Sequence, residues 1–160
     1  MARLTIVFLI IASAAAALSQ TSAACPWVTL GTAERFLGGE VTVVAHVNGS
    51  AAGSCSFARQ SGNTAASIEI LVGPTDTHPC PQHSTKLNAL GNEAVQCRIG
   101  TSTSQESDRI AGRIREVFFV VTMTNILDAT KPEPADPLLA DAYAASAIER
   151  LAEQVVGNLY

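Results

Sequence analysis

Lysine is nearly missing from these 160 residues, with Lys86 and Lys131 the only two. Lys and Arg together number 10 against 14 Asp and Glu, a formal charge of −4. Proteins that grip nucleic acid neutralise phosphates from a basic surface, so this balance excludes that class. Aromatic side chains are also few, with one Trp and two Tyr. Glu69, Glu93 and Glu116 could pair as glycosidase carboxylates, but the aromatic platforms that usually accompany such sites are lacking. No Gly-x-Ser-x-Gly, Ser-x-x-Lys, Cys-x-x-Cys or His-Glu-x-x-His pattern occurs, and neither does a Gly-x-Gly-x-x-Gly or Walker loop. Nucleophilic, zinc-helix and phosphate-cradling chemistry therefore have no motif to rest on. A Ser, His46 and an Asp could assemble only through the fold.

What is present starts with an export address. Arg3 precedes an apolar run from Leu4 to Ile11, broken only by Thr5, and small residues prolong it to Ala17. The run is too short for a bilayer span, and Ser22 and Ala24 fit the small-residue positions of a signal-peptidase site. Cleavage after Ala24 is expected, making residues 1–24 a signal peptide and 25–160 a single exported domain, periplasmic or secreted. No second long apolar segment follows, so the exported part carries no membrane span of the helical kind. Cys25 would then be the first residue, and lipid attachment there is the alternative, although Ser22 stands where a lipobox has Leu.

Cys25, Cys55, Cys80 and Cys97 all lie beyond the cut, an even count in an oxidising compartment. Of the three pairings open to four cysteines, local topology favours Cys25 with Cys55 and Cys80 with Cys97. Each bond would contribute about 3 to 4 kcal/mol.

Periodicity supplies the fold class. Ile110, Gly112 and Ile114 alternate against Arg109, Ala111 and Arg113. After the polar pair Arg115-Glu116, Val117 to Thr124 is apolar or Thr on both parities. These are two strands of a hairpin, the second in the middle of a sheet with both faces covered. Strands are also predicted at Val41–Val47, Ser54–Gln60, Ala66–Val72 and Ala94–Ile99, the first three as an antiparallel meander. Thr32 is a plausible N-cap for a short helix that Gly38-Gly39 ends. Asp136-Pro137 opens an amphipathic helix of about six turns, with Leu139, Tyr143, Ala147, Leu151, Val155 and Leu159 at helical spacing. Gly73–Leu90 and Gly100–Ser107 read as loops. The expectation is an α+β fold, an antiparallel sheet of about six strands covered by a short N-terminal and a long C-terminal helix.

The order CPWVTLGTAERFLGG, CSF, LGNEAVQC, GRIREVFFVVTM and AEQVVGNLY resembles small exported and lipid-anchored bacterial domains of unknown function. In those, a Cys-helix-Gly segment precedes a Cys-aromatic strand, a Gly-Asn-Glu-Ala turn and an Arg-containing hairpin. The resemblance implies a disulfide from the first helix region to the second strand, here Cys25 to Cys55, and no assigned catalytic chemistry. The poor lipobox and the additional Cys80 and Cys97 depart from that pattern.

Two clusters could carry function. Asp76, His78, Cys80 and His83 are potential metal ligands, but His-x-Cys-x2-His is not a common zinc spacing and Pro79 and Pro81 restrict the backbone. Arg109, Arg113 and Arg115 on the hairpin, beside Asp108 and Glu116, could meet an anion or a protein partner. The sequence reads as a non-catalytic exported domain with no cofactor that binds an envelope or extracellular partner. The alternative is a hydrolytic or metal-dependent enzyme using the His78, Cys80 and His83 region. Intact-mass analysis of secreted material should show a chain starting at Cys25, and a diacylglyceryl mass on that residue would replace the soluble form with an anchored one.

Overall fold

The computed structural model describes residues 24–49, 51–62, 64–75, 80, 84–102, 105–126 and 137–160; at 101, 102, 126 and 137–144 the backbone alone is described. The expected signal segment up to residue 23, the connector 127–136, and Asp76, His78 and His83 lie outside the described residues. In chain order the elements are α1 (Leu30–Leu37), β1 (Thr42–Val47), β2 (Gly53–Ser61), β3 (Thr64–Gly73), β4 (Thr85–Leu87), β5 (Glu93–Ser102), β6 (Gln105–Ile114), β7 (Val117–Ile126) and α2 (Pro137–Gly157).

The strands form one sheet in the order β1-β2-β3-β7-β6-β5-β4, antiparallel throughout. Two meanders, β1 to β3 and β4 to β7, are thus joined by the pairing of β3 with β7. Strand β7 is central, and Phe119, Val120, Val121, Thr122 and Met123 are all buried. This is the burial that an apolar run on both parities requires.

The sheet has seven strands, not six. The addition is β4, three residues inside the segment expected to be irregular, which pair with Ala94–Gln96 of β5. Three residues are too few to display a period of two. The polar stretch before Asp108 is also strand for most of its length, because β5 runs to Ser102 and β6 starts at Gln105, with a register shift between Ile99 and Ser102. Within it, Ser107 Oγ lies 2.9 Å from Thr124 Oγ1 of β7.

Both helices cover one face. On that face the row Ala45, Cys55, Ile70, Val121 and Ile110 runs across five strands. Helix α1 packs on β3, and α2 packs on β6 and β7. The N-cap of α1 is Thr29, one turn before the expected Thr32: its Oγ1 accepts from the Thr32 amide at 3.2 Å, and Leu30 and Gly31 join the helix. Gly38, at φ 74°, closes α1 as expected, and Arg59 of β2 donates to the Leu37 carbonyl at 2.9 Å, placing a cation at the negative end of the helix.

In α2, of 21 residues, the buried stripe is Ala147, Ile148, Leu151, Ala152, Val155 and Val156. The expected series stepped by four throughout, which overshoots the 3.6-residue turn and so missed Ile148, Ala152 and Val156. Trp27, fully buried, fills the space beside the end of α2, where Asn158 Nδ2 donates to the Trp27 carbonyl at 2.8 Å.

Gly112 sits where the ring of Phe119 crosses from β7. A Cβ there would lie 2.6 Å from Phe119 Cζ and 2.7 Å from the Glu93 carbonyl oxygen. Gly112→Ala should therefore destabilise the fold by about 1 to 3 kcal/mol in urea unfolding, and an unchanged midpoint would mean that the ring is free to move aside.

Candidate functional site

Among the described residues no group of three or more His, Cys, Asp or Glu converges as a metal site. Cys80, the described member of the cluster weighed from sequence, is bonded to Cys97. His46 is exposed on β1. Glu69 lies on β3 and Glu93 on β5, with β7 and β6 between them. Three strand spacings amount to about 14 Å, beyond the reach of a paired-carboxylate mechanism. Glu116 is in the turn after β6.

The cysteines pair as local topology favours, Cys25 with Cys55 and Cys80 with Cys97. The two bonds sit on opposite faces of the sheet. Cys55 belongs to the row under the helices, whereas Cys97 belongs to the neighbouring row on the other face, with Arg109, Thr122, Glu69, Ser56 and Val44. The first bond therefore ties the segment carrying Trp27 into the core, and the second holds the chain at Cys80 against the outer face.

The three hairpin arginines have different surroundings. Arg109 and Arg113 share the outer face of β6. Arg109 Nε donates to Thr122 Oγ1 at 3.2 Å. Arg113 Nη2 meets Glu93 Oε1 at 3.4 Å, its guanidinium lies 6.0 Å from the Phe118 ring centroid, and its Nε is buried without a partner among the described residues. Glu93 is largely exposed, so this ion pair contributes at most about 1 kcal/mol. A recess of about 290 Å³ opens beside Arg113, bordered by Cys80, Ser84, Val95 and Phe118.

Arg115 occupies the turn with φ 53°, and its guanidinium lies 5.5 Å from the Tyr160 ring centroid. The unusual backbone there is held by Asn92, whose Oδ1 accepts from the Arg115 amide at 2.7 Å while its own amide donates to the Arg113 carbonyl at 2.8 Å. The turn Gly91-Asn92-Glu93 thus braces the tip of the neighbouring hairpin.

Sequence reasoning did not single out the outer edge of β1. The Asn48 amide donates to the Ala52 carbonyl at 2.8 Å, and the register continues through His46↔Ser54, Val44↔Ser56 and Thr42↔Ala58. Alternation in an antiparallel ladder then directs the amides and carbonyls of Thr42, Val44 and His46 toward β2, and those of Val43, Ala45 and Val47 outward. No described strand pairs with that side. The strand TVVAHV contains no Lys, Glu, Asp or Pro, the residues that usually guard an edge, and Val44 is 54% exposed. At the opposite edge β4 is short and carries Lys86. The signal in the sequence was the want of any gatekeeper in an otherwise well-patterned strand.

No family model matches the chain, and no curated protein matches it. Among solved structures the chain is similar to the crystal structure of Ara h 8.0201, at 9% identity, with 81% of each chain covered and a TM-score of 0.25.

The opposite placement of the two disulfides has a spectroscopic consequence. Cys25→Ala with Cys55→Ala should red-shift the emission of Trp27 in native buffer. Cys80→Ala with Cys97→Ala should leave the emission in place while lowering urea stability by about 3 kcal/mol. The reverse pattern would assign the core staple to the wrong pair.

Proposed function

We propose that the chain is a non-catalytic exported domain that binds an envelope or extracellular protein by accepting an extended segment of it against β1. The observation that carries this reading is the unguarded edge: Val43, Ala45 and Val47 present their main-chain groups outward from a strand free of charge. Strand addition at such an edge derives affinity from main-chain hydrogen bonds and selectivity from alternate side-chain pockets. Here the flanking side chains are Thr42, Val44 and His46 on one face and Val43, Ala45 and Val47 on the other, which suits an uncharged, β-branched partner segment. Arg109 and Arg113, on the same face as Val44, would then serve a separate polar contact.

Export through the segment 1–24 is part of this proposal, and two disulfides fit an oxidising compartment. The Cys25 sulfur is bonded to Cys55 and cannot also carry a lipid thioether, which supports the soluble form over the anchored one.

A photo-crosslinker at Val44 in the exported protein tests the reading. It should capture a protein from the native envelope, and Ala45→Pro should abolish capture. Proline there removes an outward amide but no bond to β2, so the sheet should keep its stability. Equal capture from a crosslinker at exposed Leu30, or capture insensitive to the proline, would overturn β1 as the site. A product of twice the chain's mass would make the partner a second copy.

A further inference from the structure

On the helical face, a cleft of about 580 Å³ opens between α1 and α2 over the end of β7. Its described lining is Arg35 and Phe36 from α1, Met123 and Asn125 from β7, and Ala147, Arg150 and Gln154 from α2. The volume is that of a small-molecule site. Its chemistry is divided: Phe36, Met123 and Ala147 make the apolar part, and an arginine stands on the helix at each side.

Among the described residues neither arginine has a carboxylate partner. Arg35 Nη2 makes a long contact of 3.4 Å to Thr32 Oγ1, and Arg150 Nε donates to the Ser146 carbonyl at 3.2 Å. Both acceptors are uncharged, and no carboxylate is among the described lining residues. In a chain of net charge −4, the cleft is thus bordered by two guanidiniums beside an apolar floor, with no carboxylate among its described lining residues. Guanidinium donors recognise carboxylate and phosphate oxygens in a fixed fork geometry, and the floor accepts hydrocarbon.

We infer that this cleft binds a single-headed anionic amphiphile, with its carboxylate or phosphate between Arg35 and Arg150 and its alkyl chain against Phe36, Met123 and Ala147. The site lies on the face under the helices and does not depend on the strand-addition reading of β1. Asn125 supplies an amide that can bond to head-group oxygens left over by the arginines, while Gln154 Nε2 donates to Thr32 Oγ1 at 3.3 Å and links the two helices beside the cleft.

Titration calorimetry of the exported protein below the micellar range provides the test, using dodecanoate, dodecyl phosphate, dodecyltrimethylammonium and inorganic phosphate. One equivalent of dodecanoate or dodecyl phosphate should bind, and whichever binds more tightly identifies a fatty-acid or a phospholipid-type head. Arg35→Gln and Arg150→Gln should each weaken that binding about tenfold, the loss expected for one charge-assisted contact. Both residues are exposed, and unchanged Trp27 emission will show that the variants are folded. The inference is overturned if neither anionic amphiphile binds, if the cationic one binds equally well, if inorganic phosphate binds as tightly as dodecyl phosphate, or if the arginine variants bind like the parent.

Discussion

Pairing of β3 with β7 is the contact on which the molecule depends. Without it there are two separate meanders, each with an apolar strand left at its edge. With it, Ile68, Ile70 and Val72 of β3 lie beside Met123, Val121 and Phe119 of β7, and both helices acquire a floor. The register is fixed by burial, since a slip of one residue would turn these side chains to the outer face and bring Glu69 under the helices. The same requirement explains Gly112: Phe119 can lie flat over the next strand only where that strand has no side chain.

The two faces are closed by different means. Under the helices the core is continuous from Trp27 through β7 to Val155, and the disulfide at Cys55 adds a covalent link to a surface already dry. On the outer face no described helix lies on the sheet. There Ala111, Val120, Thr122 and Cys97 are buried at the centre, and the bond to Cys80 anchors the chain beside them. Toward β1 this cover is missing and Val44 is exposed. Polar side chains on the outer face are arranged as cross-strand pairs, such as Arg109 with Thr122 and Ser107 with Thr124.

Much of this architecture was legible in the order of residues. The central position of β7 followed from its lack of a polar parity. The faces of β1, β2 and β3 followed from strict alternation, and the cysteine pairing from neighbourhood in the chain. What escaped were features that leave no period. Strand β4 is too short to alternate, and Thr29 precedes a Leu-Gly pair that obscures the true helix start. Trp27 lies in no regular element, and Cys25 and Asn158 hold its segment from two sides. The candidate sites were less legible still. The hairpin arginines are close in sequence but differ in their contacts, and the cleft joins Arg35 to Arg150, residues that no local pattern relates. A free strand edge is a property of sheet order, which the sequence specifies only through long-range pairing.

Strand β7 is central in space but comes last among the described strands. Until residue 126 has been made, β3 and β6 have no neighbour on their inner sides, and the two half-sheets cannot merge. Local hairpins can form and dissolve in the growing polypeptide, but the pairing that commits them joins residues about 50 positions apart and must meet a correspondingly large loop-closure cost. A chain of this topology can therefore commit its full sheet only when nearly all of its strand-forming residues have been made.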